Sequence, residues 1–333
     1  MKLITIEEHF ESELITNEMN KIAGNAISGQ VSAEMLEYMK TDLPSDEEMQ
    51  STEKRLAFMD KHKIDRQVVS YGNMCPQNLP PNISIDLCRR ANDELAKLVQ
   101  AHPERFSGFA VLPVGSPKDA AQELKRTVEE LDFKGVLLKG NYDHKYFDDP
   151  FFFPIFEMAQ ELDVPVYFHP SFIPNTITQQ YFESDQWSDV VTGIFSSAGF
   201  GWHMDVGIQV IRMVVSGIFD KLPNLKIISG HWGELMPIFL DRMDDMLAPR
   251  TTLKRKISEY YQDNVYITPS GILHARELRF ILDVMGPDHI IYSIDYPYVK
   301  PENAGTFLDE LDLDTETKEK IAYKNAEKLL RLK

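Results

Sequence analysis

With 333 residues, 43% of them hydrophobic and 26% charged, the chain is long enough to bury a sizeable core and has the make-up of a globular protein. No run approaches the roughly 18 apolar residues that crossing a bilayer takes, so a membrane is not an expected partner. Lysine plus arginine total 35 against 52 acids, and the net charge of −17 argues against nucleic acid, because phosphate binding needs a basic face. A small anionic substrate stays admissible, since surface charge is screened within about 10 Å.

Strand and helix signals alternate along the whole chain, the pattern of a parallel α/β protein. The amino terminus, MKLITIEEHF, enters a strand at once and has carboxylates where a signal peptide would be apolar, so a cytoplasmic protein is expected. The strand candidates are LITIEEH (3–9), RQVVSYG (66–72), FSGFAVLPV (106–114) and FKGVLLKG (133–140). They continue with VPVYFHP (164–170), LKIISGH (225–231), NVYITPS (264–270) and HIIYSID (289–295). Eight such strands close a (β/α)8 TIM-type barrel, expected here as one domain over 1–333.

Amphipathic helices separate the strands; in IDLCRRANDELAKLVQAH, Leu87, Ala91, Leu95 and Leu98 fall on one face. Two connections are much longer than the rest: residues 10–65 after the first strand and 171–206 after the fifth. Insertions at the carboxyl face of a barrel build lids and binding walls. The second carries Phe172, Tyr181, Phe182, Trp187, Phe195, Phe200 and Trp202. These rings either form a lid for a flat apolar substrate, with Trp202 touching it, or pack the insertion onto the barrel. Cys75 and Cys88 are too few for a disulfide framework and lack CxxC spacing; both read as apolar filler, Cys75 near the mouth of the barrel.

The chemistry lies at the carboxyl ends of four strands. Glu7 and His9 end the first, His169 the fifth, His231 the sixth and Asp295 the eighth. Residues two apart on a strand share a face, so Glu7 and His9 point together while Glu8 points away. A carboxylate and an imidazole are costly to bury unless something neutralises them, and a divalent metal does so. Glu7 with His9, or His169, is a weak signal alone, and Asp295 inside an apolar strand is a stronger one because an unpaired buried carboxylate is rare; four such strand ends on one face of a barrel are not independent coincidences. Glu7, His9, His169 and Asp295 offer two oxygens and two nitrogens, with positions left open for water or substrate, and such a set suits zinc or manganese. His231 is kept off the metal as a proton-transfer or hydrogen-bonding group. Glu234, three residues on in GHWGE and near an expected helix start, either orients that imidazole or is a first-turn carboxylate favoured by the helix dipole.

The set EEHF, YFHP, SGHWGE and IDYPY, in this order and spacing, resembles the decarboxylase branch of the amidohydrolase superfamily, which includes γ-resorcylate, 5-carboxyvanillate and aminocarboxymuconate-semialdehyde decarboxylases. The likeness runs nearly end to end, through RRANDELAKLVQAHPERFSGFAVLP to the closing NAEKLL helix. It implies one divalent metal ion, zinc or manganese, on Glu7, His9, His169 and Asp295, and non-oxidative loss of carbon dioxide from a phenolic aromatic acid. It further implies a catalytic His231 with Glu234 as partner, and a homodimer or homotetramer. Arg242 in FLDRMD matches an arginine that reaches a neighbouring subunit's substrate, and Tyr298 in DYPY matches a substrate-contacting tyrosine. The chain departs from the family in its early insertion, SAEMLEYMKTDLPSDEEMQ, which has no arginine for a carboxylate, and in its aromatic segment SSAGFGWHMDVG. In the implied mechanism the metal holds the substrate carboxylate and an adjacent phenolic oxygen, and Asp295 protonates the ring carbon. The alternative is a metal-dependent hydrolase acting on an ester, lactone or amide with Asp295 as general base, for which only Lys139 could supply a bridging carboxylated lysine.

Overall fold

The computed structural model describes residues 1–23 and 32–332. Seven short strands run parallel: β1 (Ile4–Phe10), β2 (Arg66–Tyr71), β3 (Phe106–Gly108), β4 (Val136–Lys139), β5 (Val166–His169), β6 (Ile227–Ser229) and β7 (Val265–Ile267). β-branched and aromatic residues dominate them, and almost every position is buried, as a strand must be when helices cover one side and a packed interior fills the other.

β1, β2 and β3 form one ladder, and β4 to β7 form a second. Single pairings close the two gaps between them. Ala110 N donates to Gly135 O at 2.8 Å and Leu137 N to Ala110 O at 3.2 Å, joining the end of β3 to β4. Ile291 N donates to Ile267 O at 2.9 Å and Ile6 N to Tyr292 O at 3.1 Å, so the 290–293 segment stands between β7 and β1 as the eighth stave.

Inside the ring, Ile6, Val68, Phe109, Leu137, Tyr167, Ile228, Tyr266 and Ile291 form one buried cluster with a side chain from every stave. Ala326 and Leu330, on the last helix (Asn325–Leu330), close that cluster from below. This is the layered interior of a (β/α)8 barrel. A second, larger core lies between the staves and the helices around them.

Two expected strands are shorter than their apolar runs. Within 106–114, Phe109 N turns to Val69 O while Ala110 N turns to Gly135 O, so the stave divides its bonds between two neighbours. Within 289–295, Ile294 N and Tyr296 N both donate to the Glu8 carboxylate at 3.1 Å, which removes them from any ladder.

The first long connection holds α1 (Glu13–Ala23), α2 (Ala33–Thr41), α3 (Asp46–Gln50) and α4 (Thr52–Lys61); its residues 24–31 lie outside the described residues. α3 starts on a Ser45–Glu48 capping box, and α4, with Arg55 and Met59 buried, leads into β2 as a barrel helix does. Helices α5 (Pro81–Ala101), α6 (Pro117–Leu131) and α7 (Phe153–Leu162) cover the next staves. The second long connection holds α8 (Asn175–Tyr181), α9 (Asp189–Ser196) and the first turns of α10 (Gly201–Val215). α10 runs on past residue 206 as a barrel helix, burying Val210, Met213 and Val214. The two insertions touch where the Met35 side chain covers Gly193. Among the described residues no helix is long and apolar enough to cross a membrane.

A candidate metal centre at the mouth of the barrel

Strand ends bring the sequence-distant candidates together. His9 Nε2, His169 Nε2 and Asp295 Oδ1 belong to side chains whose ligand atoms all lie within 4.8 Å of one another. His9 Nε2 is 2.9 Å from Asp295 Oδ1, without the alignment of a hydrogen bond, and Glu7 Oε1 is 3.9 Å from His169 Nε2. Glu7 Oε1, His9 Nε2 and Asp295 Oδ1 are buried with no hydrogen-bond partner among the described residues. Glu7 stands outside the group that is mutually within 4.8 Å, with Oε1 beside His169 Nε2, while His9 Nε2 and Asp295 Oδ1 face each other; orphaned polar atoms placed so near would be expensive unless a cation satisfied them. A divalent ion therefore fits these residues.

Each ligand candidate is held from behind. His169 Nδ1 lies 2.8 Å from Pro170 O; a carbonyl only accepts, so Nδ1 carries the proton and Nε2 keeps its lone pair for the site. His9 Nδ1 is 3.4 Å from Ser70 Oγ, which turns its Nε2 inward. Glu7 Oε2 accepts from the hydroxyls of Ser270, Thr268 (3.3 Å) and Ser293 (3.4 Å), leaving Oε1 presented to the centre. Gly230 makes room for this carboxylate, since a Cβ there would stand 2.9 Å from Ser270 Oγ and 3.0 Å from Glu7 Oε1.

Glu7 sits in a bulge: the β1–β2 register shifts between Ile6 and Glu8, and Glu7 has φ +68°. Asp295 has φ +67° and Ser270 φ +47°, so three residues around one point hold left-handed backbone. Strain of that kind collects at functional sites. Glu8 does point away from the centre, because the bulge at Glu7 breaks the alternation that would set it beside inward Ile4 and Ile6, and it pins the eighth stave through the two backbone bonds described above. Gln67 Nε2 donates to Glu8 Oε2 at 3.3 Å, and buried Arg55 donates to Gln67 Oε1 at 3.1 Å and to His9 O.

Electrostatics follow from burial. Desolvation pushes the His9 imidazole down to about 3 and His169 well below its usual value, so both are neutral, as metal ligands must be. Burial raises the Glu7 carboxyl, and raises Asp295 to about 7 against the pull of His231 and Lys139. A bound cation would favour both carboxylates in their ionised form. For His231 burial works against the charged ring, but the carboxylates of Glu234 and Glu7 outweigh it and lift the group to about 10.

The turn that carries His231 departs from expectation. His231, Trp232, Gly233, Glu234 and Leu235 all have positive φ, between +45° and +82°, so HWGE is a left-handed turn and not a helix start. The helical run that begins at Met236 starts two residues on, so Glu234 precedes that helix and is not a carboxylate of its first turn. Its Oε1 accepts from His231 Nδ1 at 2.8 Å, which is the orienting arrangement. Tyr298 reaches the centre too: its ring stands 5.3 Å from the His9 ring, and its Oη accepts from Asn73 N at 3.2 Å.

The aromatic insertion divides into two groups. Phe182, Trp187, Phe195 and Phe200 pack on one another, with Phe182 and Phe195 centroids 4.8 Å apart. Phe172 and Trp202 form a separate edge-on pair at 5.7 Å, and Trp202 Nε1 is buried without a partner among the described residues. Arg242 is not brought to this centre; it lies exposed on the helix Leu240–Met246, in no ion pair among the described residues. Lys139, buried beside His169 at the end of β4, donates from Nζ to Gly72 O. Sequence reasoning did not pick out Ser270, Thr268, Ser293, Glu8, Arg55 or His203; only the hydroxyl residues at the strand ends ITPS and YSID hinted at the Glu7 cradle.

Comparison with known proteins adds a family model described as Amidohydrolase, which matches residues 31–332. Decarboxylase orsB of Emericella nidulans is 34% identical over 99% of this chain and 97% of its own length. A gamma-resorcylate decarboxylase of Polaromonas sp. is 33% identical over 84% of this chain and 87% of its own. Among solved structures, a 5-carboxyvanillate decarboxylase from Novosphingobium aromaticivorans, complexed with manganese and 4-hydroxy-3-methoxy-5-nitrobenzoic acid, superposes with a TM-score of 0.87 at 30% identity. That match covers 99% of this chain and 96% of the other.

Proposed function

Because the chain belongs to the amidohydrolase family, we propose that it catalyses the metal-dependent, non-oxidative decarboxylation of a phenolic aromatic acid of the hydroxybenzoate type. The enzyme is then a carboxy-lyase. The observation that carries this reading is the convergence of His9, His169 and Asp295 within 4.8 Å, with the open oxygen of Glu7 beside them. Two neutral imidazoles and two carboxylates would hold one divalent ion, manganese or zinc. When bound, that ion supplies charge stabilisation and a template for the substrate's carboxylate and neighbouring phenolic oxygen.

The chain's own residues would do the rest. Asp295, taking up a proton as the acid binds, delivers it to the ring carbon that bears the carboxylate. The bond between that carbon and the carboxylate then breaks, its electron pair restores the aromatic ring, and carbon dioxide leaves. His231, oriented by Glu234, stabilises negative charge on the substrate. Tyr298 and Trp202 border the ring, and the indole Nε1 of Trp202 is a donor still in need of an acceptor. Insertions 10–65 and 171–206 serve as the cap of a single catalytic domain.

Arg242 completes the site of a neighbouring subunit in a homodimer or homotetramer. Support comes from its segment: Ile238, Phe239, Met246 and Leu247 are exposed there beside Asp241 and Asp245, a mixed surface with enough apolar area to suit contact with a second copy. The enzyme is placed in the cytoplasm, where Cys75 and Cys88 would remain free thiols. The hydrolytic alternative expects two ions bridged through a carboxylated lysine, and the bond from Lys139 Nζ to Gly72 O favours one ion instead.

The test is an ultraviolet assay of manganese- or zinc-loaded protein against a panel of hydroxybenzoic acids, with released carbon dioxide measured. Loss of one carboxylate per turnover at one ion per chain is expected. Ester or lactone cleavage with two ions per chain would sink the proposal.

A further inference from the structure

The Glu234 carboxylate is shared between two imidazoles. Oε1 faces His231 Nδ1 at 2.8 Å, and Oε2 faces His203 Nδ1 at 2.8 Å, with the two rings 4.4 Å apart. His203 lies in the first turn of α10, and its other nitrogen, Nε2, is 2.9 Å from Ala198 O in the turn that joins α9 to α10. A carbonyl and a carboxylate oxygen both accept, so His203 donates at both ends. Glu234 itself is fully buried in the left-handed turn. Its carboxylate, with one donor on each oxygen, is fixed in plane and cannot turn away from His231.

His203, His231 and Glu234 stand close enough to pass for a second metal-ligand group, with ligand atoms mutually within 4.8 Å. Both carboxylate oxygens and both Nδ1 atoms are engaged with each other, so the cluster is a hydrogen-bonded relay. One end of that relay is the group expected to face the substrate. The other end is the backbone of the 171–206 insertion.

We propose that His203 is a positioning residue: acting through Glu234, it fixes the orientation of the His231 ring and its Nδ1–H bond and makes them depend on the seating of the second insertion. The proposal rests on the reading of His231 as the group that faces the substrate. Without His203, Glu234 Oε2 loses its donor while buried, the carboxylate gains freedom to rotate, and the His231 Nδ1–H bond loosens. None of the candidate metal ligands is touched.

Four variants decide it: H203F removes both bonds, H203N keeps a donor where Nδ1 stood, H203Q keeps one where Nε2 stood, and H231N removes the dependent ring. Kinetics use the hydroxybenzoate of the panel that is turned over fastest. Imidazole 1H–15N spectra of the zinc-loaded, 15N-histidine-labelled protein report the His231 Nδ1–H directly. The expected result is a kcat in H203F lower by about 10- to 100-fold, the size of loss that outer partners of metal-bound histidines cause, with KM and metal content unchanged. The His231 Nδ1–H signal should shift or vanish in H203F, and H203N should restore most of both. An H203F enzyme with wild-type kcat and an unmoved His231 signal would overturn the proposal. So would an H203N as impaired as H203F with metal content reduced in both. Should H203F fail to fold, an active H203N beside an impaired H203Q supports the proposal, and equal activities overturn it. If H231N keeps wild-type turnover, the reading of His231 falls as well; if H231N is inactive and H203F unaffected, the role of His203 alone falls.

Discussion

Burial and nearby positive charge pull the Asp295 proton in opposite directions. Desolvation lifts the carboxyl to about 7, and His231 and Lys139 resist that rise. The same side chain offers Oδ1 to the candidate metal group, where a cation would hold it ionised. A carboxyl placed between these influences can both coordinate and return a proton, provided the substrate brings that proton with it. The two duties separate in Asp295→Asn, which keeps a carbonyl oxygen to face the metal but has no proton to exchange. Turnover should fall by at least about 100-fold, the lower end of what general acid catalysis contributes. Metal content by atomic emission should stay near one ion per chain. Near-normal turnover with metal retained would remove Asp295 from the proton path.

At the level of elements, the site depends on short pieces of backbone that depart from regular structure. The turn His231–Leu235 keeps five residues in left-handed conformation, and each non-glycine residue there costs roughly 1–2 kcal/mol. What holds it is packing: Trp232 Nε1 donates to Ile272 O at 2.7 Å, and His231 N donates to Ser270 Oγ at 2.9 Å. At Gly233, φ is +82°, and a Cβ would stand 2.7 Å from Pro237 Cγ and 2.8 Å from Tyr261 Oη. Gly233→Ala should therefore lower stability by about 1–3 kcal/mol, the range for overpacking, and reduce turnover because Glu234 is the next residue. Calorimetry and the decarboxylase assay read the two effects, and an unchanged Tm would mean the turn is looser than its contacts imply. The same departures mark where the sequence was legible and where it was not. Strands β4, β5 and β6 could be read from their apolar runs, and His169 and His231 at the ends of the last two came with them. The left-handed backbone of HWGE could not be read, because such a turn leaves no periodic signature, only a glycine. Glu8 and Arg55 were hidden for another reason: their partners, Ile294, Tyr296 and Gln67, lie far off in the chain. Hydrogen bonds of that range have no local pattern.

For the whole molecule, the barrel brings nearly every candidate to one mouth and leaves Arg242 outside it. The arginine is exposed on the helix Leu240–Met246, next to exposed Phe239, Met246 and Leu247. Exposed apolar side chains of this size, set among Arg242 and the exposed Asp241 and Asp245, suit a surface covered by a second copy, to which the guanidinium could offer an anion-binding fork. If Arg242 serves the neighbour's site, a subunit lacking it and a subunit lacking Asp295 can repair each other. Arg242→Ala and Asp295→Asn should each be inactive alone. Mixed and allowed to exchange subunits, they form hybrids in which one site draws Asp295 from its own chain and Arg242 from the partner. For a two-fold dimer with random exchange, about one quarter of all sites become complete, so the mixture should recover about a quarter of wild-type turnover. An arginine acting within its own chain predicts no recovery at any mixing ratio, because every site in the mixture would then lack one group or the other.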